Sequence, residues 1–113
     1  MKYLLVKEKD KKFTLYCPEV FGIETWGDGY HQTSLEKKRK HWHIVNWYSG
    51  DDWTEDEETS YKVNVVVEDA DLDNIIRYVI KHNEKELEHI LTDAQKIYND
   101  YIEAQKYFLK NYY

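Results

Sequence analysis

One cysteine, Cys17, and one proline, Pro18, stand side by side in a chain of 113 residues. A single thiol cannot form an internal disulfide framework, and it cannot build a zinc site that draws on several cysteines. Apolar runs are short too. The segment from Met1 to Lys7 carries too few apolar residues for a signal peptide. Nor does any later stretch approach the ~20 apolar residues of a membrane-spanning helix. The chain is therefore expected to be soluble and cytoplasmic. Four glycines and one proline exclude a collagen-like or disordered composition, so the chain should fold. Its length suits one domain, residues 1–113, with a sheet region over 1–68 and a helical region over 69–113.

Catalytic signatures are also scarce. Ser34, Ser49 and Ser60 lie in no recognisable nucleophile elbow, and Cys17 precedes proline on an expected core strand. Gly27-Asp28-Gly29 lacks the lysine and the following helix that a phosphate-cradling loop uses. Asp69, Asp71 and Asp73 have the spacing that opens a calcium loop. The sixth position is Asn74 where glycine is needed, however, and the twelfth is Ile80 where a bidentate glutamate belongs. These absences favour a non-catalytic protein with no cofactor.

Aromatic residues are abundant: eleven tyrosines, four tryptophans and three phenylalanines exceed what so small a core can absorb, which leaves some for the surface. Charge is unevenly spread. Residues 1–48 hold nine Lys/Arg against six Asp/Glu, residues 49–73 hold one against ten, and residues 74–113 hold six of each. The middle segment opens with Asp51, Asp52, Glu55, Asp56, Glu57 and Glu58 around Trp53, just after the basic block Lys37-Lys38-Arg39-Lys40. Like charges in a run must be solvated, offset by a basic neighbour, or used on a partner.

Alternation predicts strands over Lys2–Lys7 and Lys12–Cys17 joined by a turn at Lys9-Asp10-Lys11, with Pro18 ending the second. Asp28-Gly29 suits the turn of a second small hairpin. Thr33 with Glu36 matches a capping box, which predicts one or two helical turns carrying the basic block. His41–Tyr48 reads as a strand, and Tyr61, Val63, Val65 and Val67 as a fourth main strand, with an acidic loop of roughly twelve residues between them. After Glu68 the period changes to that of a helix. Leu72, Ile75, Ile76, Val79 and Ile80 share one face, with Asp69, Asp71 and Asp73 at its start. Asn83 and Glu86 then make a plausible capping pair for a second helix. Running from about Glu84 to about Tyr112, it would be ~43 Å long, against ~20–23 Å for a strand of six or seven residues. The expected fold is α+β: an antiparallel sheet of four or more strands, then two helices, the last long and packed on the sheet. A helix that outruns its sheet also points to self-association through residues 84–113.

Two constellations compete for function. His41 and His43 lie on one face of a strand, ~7 Å apart, and could share a metal ion or serve a small enzyme, although no third ligand sits at a characteristic spacing. Lys37–Lys40 with Trp42, Trp47 and Tyr48 has the ingredients of a single-strand nucleic-acid platform, but a net charge of −6 with the acidic run close by opposes phosphate. The converse is favoured. Asp51, Asp52, Trp53, Glu55, Asp56, Glu57 and Glu58, with Trp26, Tyr30, Trp42 and Trp47 on adjoining elements, form an acidic, aromatic surface suited to a basic protein partner. That reading describes an inhibitor of the phage or mobile-element type, mimicking nucleic acid on its partner, without direct nucleic-acid or membrane binding.

Overall fold

A computed structural model describes residues 1–20, 23–26, 29–49 and 57–112. Among the described residues are seven strands: β1 (Tyr3–Lys7), β2 (Phe13–Tyr16), β3 (Ile23–Trp26), β4 (Gly29–Lys38), β5 (His41–Ser49), β6 (Glu57–Lys62) and β7 (Val65–Ala70). Two helices follow, α1 (Leu72–Asn83) and α2 (Leu87–Tyr112). The α+β class and the long final helix packed on a sheet match expectation. The single sheet does not. The strands divide into a three-stranded antiparallel sheet, β2-β1-β7, and a four-stranded one, β3-β4-β5-β6. The chain accordingly forms two compact units: Met1–Val20 with Val65–Tyr113, and Phe21–Asn64 between them.

The division occurs where the sequence reads as one strand. Tyr61 to Val67 alternates well, yet β6 ends at Lys62 and β7 begins at Val65 in the other sheet, and the sheet region runs on to Ala70. Alternation specifies which side chains share a face, but it carries no information about which neighbour supplies the hydrogen bonds. The amide of Val63 still donates to the Trp42 carbonyl, so the break falls immediately after it.

In the first unit, the apolar run Tyr3-Leu4-Leu5-Val6 becomes the central strand, buried throughout as expected of a strand covered on both faces. A polar turn closes β1 on β2: the Lys11 amide donates to the Glu8 carbonyl, and the Lys12 amide to Asp10 Oδ1. Lys11 takes φ 67° there. Tyr3, Leu5, Phe13, Leu15 and Cys17 form one face of this sheet and pack with Ala70, Ile75, Val79, Ile90 and Ala94 into a single core. Helix α1 lies on β7 and β1, and α2 lies on β2 and the 3-10 turn Pro18–Val20. Phe13 meets Tyr78 edge-on at 6.0 Å between ring centroids, and Tyr78 stacks on His82.

Asp71 caps α1, its carboxylate accepting the Asn74 amide at 3.0 Å, with Asp73 in the first turn and Lys81 and His82 in the last, all complementary to the helix dipole. Asp69 has a different role from the one its spacing suggests: it belongs to β7 with φ 51°. The Asn83–Glu86 capping box does not form. Glu84–Glu86 is a 3-10 turn whose Asn83 makes no side-chain cap, because the turn links α1 directly to α2 and leaves no separate helix start to cap. Helix α2 is therefore 26 residues long, about 39 Å.

In the second unit, β3 and β4 form the expected small hairpin, Trp26 pairing with Gly29. The helical turn expected from Thr33 and Glu36 is instead the middle of β4, where Ser34, Glu36 and Lys38 alternate with Thr33, Leu35 and Lys37. Thr33 spends its hydroxyl across the sheet, donating to Asn46 Oδ1 at 2.9 Å. A nine-pair ladder with β5 outweighs a local cap. The acidic connection is shorter than expected, since Glu57 and Glu58 already belong to β6 and pair with Tyr48 and Trp47.

Candidate functional site

Successive hairpin turns of a meander fall at alternate ends of the sheet. The turn between β3 and β4 and the connection between β5 and β6 therefore share one end, while the turn between β4 and β5 lies at the other. Register bears this out: Trp26 pairs with Gly29, Tyr30 with Ser49, and Tyr48 with Glu57. Trp26, Tyr30 and Glu57 are thus backbone neighbours of the acidic connection, although their side chains lie outside those described. Asp51, Asp52, Trp53, Glu55 and Asp56 lie outside the described residues altogether.

At the opposite end, Lys37 pairs with Trp42 and Lys38 with His41 around the Arg39-Lys40 turn, and Lys62 opposes His43. Arg39 has φ 61°, a left-handed value that costs a non-glycine residue about 1–2 kcal/mol. Trp42 belongs to this basic end. It is half-buried, and its indole N–H is buried without a hydrogen-bond partner among the described residues. The register therefore separates Trp42 from Trp26 and Tyr30 by most of β5, which at nine residues is about 30 Å long. Measured along the strand, that exceeds a Debye length of ~8–10 Å, so any direct charge coupling between the basic and acidic ends depends on side chains that reach across the face.

One contact joins them. Lys38 Nζ lies 3.6 Å from Glu58 Oε1, although their register positions are six residues apart along β5. In a flat sheet that offset alone is roughly 20 Å. The sheet therefore coils, and this face is concave: Ser34, Glu36, Val45, Trp47 and Glu58 line a hollow of 200 Å³. Both members of the ion pair are largely exposed, so it contributes only about 0–1 kcal/mol. Ser34, Glu36 and Val45 were not among the expected site residues. Their signal was present in the alternation Ser34, Glu36, Lys38, which the capping-box reading of Thr33 and Glu36 obscured.

The hollow offers two carboxylates and a hydroxyl beside the Trp47 indole, and these oxygens can accept from a cation or a hydrogen-bond donor. His41 is exposed and His43 half-buried on the same concave face, and His43 Nδ1 is 3.3 Å from the His41 carbonyl. Among the described residues no three His, Cys, Asp or Glu side chains come together to hold a metal ion.

Cys17 lies in the other unit, buried in its core. Burial pushes its thiol above the usual range, with the charge of Glu19 acting in the same direction, while hydrogen bonds from the backbone of Glu19 and Val20 oppose the shift. A buried, neutral thiol is a poor nucleophile. Among the described residues no helix is long and apolar enough to cross a membrane. Comparison with protein-family models, with curated proteins and with solved structures finds no match to this chain.

Proposed function

We propose that this chain is a non-catalytic protein-binding module that docks the acidic end of its four-stranded sheet on a basic surface of a partner protein. The observation that carries the reading is one of segregation. All four tryptophans and the six carboxylates of 51–58 fall within Phe21–Asn64, and the register gathers Trp26, Tyr30 and Trp47 toward the end that bears those carboxylates. Carboxylates steer association and fix orientation, while aromatic anchors supply contact energy. A partner surface built for phosphates matches this chemistry, so the partner class is a nucleic-acid-binding protein and the mode is inhibition by mimicry, in the cytoplasm.

The test compares wild type with a variant carrying Asp51→Asn, Asp52→Asn, Glu55→Gln, Asp56→Asn, Glu57→Gln and Glu58→Gln, as baits in nuclease-treated lysate. Wild type should retain a basic protein that the variant releases, and the salt dependence of binding should flatten in the variant. Equal retention and an equal salt slope would rule out this surface. The two-histidine alternative gains no specific support: Glu36 pairs with His43 on β4, but Lys62 stands opposite it on β6, and no third metal-ligating side chain joins them among the described residues.

A further inference from the structure

The core of the first unit uses only one side of α2. Ile90 and Ala94 are buried, Leu87 and Ile97 pack against them, and Tyr101 continues this face half-buried. Immediately round the helix runs a second row, Leu91, Gln95, Tyr98, Ile102, Gln105 and Leu109, whose spacing alternates four and three residues. That is the seam spacing of a two-helix coiled coil. Its large apolar members are left open: Leu91 is 43% exposed, Tyr98 49% and Leu109 57%, with Ile102 half-buried. A groove of 510 Å³ follows the row on its outer side, lined among the described residues by Glu88, Leu91, Thr92, Gln95, Lys96 and Asn99.

We infer that this row pairs with the same row of a second copy of the chain, antiparallel, about a two-fold axis level with Asp100. The row is self-complementary. Run against itself in the opposite direction, the row sets Leu91 facing Leu109, Gln95 facing Gln105 and Tyr98 facing Ile102, each pair occurring twice. Apolar meets apolar, and amide meets amide.

Charge selects the same direction. The amino end of α2 and the turn before it carry Glu84, Glu86 and Glu88 against Lys85, whereas Lys106 and Lys110 follow the last carboxylate, Glu103. With the axis at Asp100, antiparallel pairing puts Lys110 of one copy about 3 Å along the axis from the level of Glu88 of the other, with Lys106 about 9 Å away, and opposes the two helix dipoles favourably. Parallel pairing would set Glu88 against Glu88 and Lys106 against Lys106. Lys106 makes only an exposed contact with Glu103 at 3.7 Å, which is too weak to hold it back. The seam from Leu91 to Leu109 spans about 27 Å. One helix pair is a small interface, so the dimer is reversible and depends on concentration. This inference is independent of the acidic surface, which lies in the other unit.

Sedimentation velocity of the full-length chain over a concentration series should show monomer passing to dimer. Tyr98→Lys, which places a charge opposite Ile102, should weaken the dimer at least ~tenfold, while an unchanged helical circular dichroism signal and melting curve report that the monomer still folds. Direction is read separately by mixing Leu91→Cys and Leu109→Cys chains with a short bismaleimide, the native Cys17 being buried. The mixture should give a linked dimer that neither variant gives alone. Linkage within Leu91→Cys alone would overturn the antiparallel pairing. A monomeric mass throughout, with no linkage, would overturn the dimer.

Discussion

The two units solve the same problem with different materials. Met1–Val20 with Val65–Tyr113 holds together by apolar contact: a sheet of short strands lies under two helices, and one core joins them. Phe21–Asn64 holds together by ladder. Its β4–β5 hairpin alone makes nine register pairs, and among its described residues only Leu35, Ile44 and Val45 are buried. Yet this ladder unit has all four tryptophans and nine of the chain's carboxylates, in 44 residues. The lesson concerns where residues of high contact energy are placed. The unit that needs packing uses leucine, isoleucine and valine, while tryptophan is kept for a sheet whose backbone pairing holds it without a large core.

The distribution of tryptophan makes the contrast measurable, because indole fluorescence reports the ladder unit and far-ultraviolet circular dichroism reports chiefly the helices. The largest expected effect is that of Leu5→Ala, which empties the centre of the packed core and should cost about 2–5 kcal/mol. In urea, the helical transition should move to lower denaturant further than the fluorescence transition. If both move together, the units unfold as one block and the contrast is only architectural. Asp71→Ala should cost about 1 kcal/mol by removing the α1 cap, again read first in the helical signal, and a zero shift would mean that solvent satisfies the Asn74 amide equally well. The smallest effect should come from Lys38→Ala. Losing the exposed pair with Glu58 should move the fluorescence midpoint by no more than about 1 kcal/mol equivalent. A larger shift would show that the ion pair, and not the ladder, maintains the coil of the sheet.

Much of the packed unit was legible because its signals are local and strong. The β1–β2 hairpin follows from alternation around a polar turn, and α1 from a change of period after Glu68 with carboxylates at the helix start. The ladder unit misled at Thr33 and Glu36, whose side chains fit a helix cap equally well; only the pairing with β5, distant in sequence, settles them as strand. It misled again at Val63-Asn64, where an unbroken alternation passes from one sheet to the other. The candidate site was legible as composition but not as geometry. Nothing local places Trp26 and Tyr30 beside the acidic connection, or Trp42 at the far end, because those positions follow from strand register.

The central strand of the packed unit has its two neighbours at very different distances along the chain. β2 arrives within a few residues, whereas β7 must wait until all of Phe21–Asn64 has passed. Closing so long a loop carries an entropic cost that tight hairpins avoid, and contacts distant in sequence form late. On a growing polypeptide the meander of β3 to β6 can zip as it emerges, while Leu4, Leu5 and Val6 stay uncovered on one edge until β7 and the helices are made. The most apolar stretch of the chain is thus the last to be sheltered, and a nascent-chain chaperone would find its binding site at Tyr3–Val6.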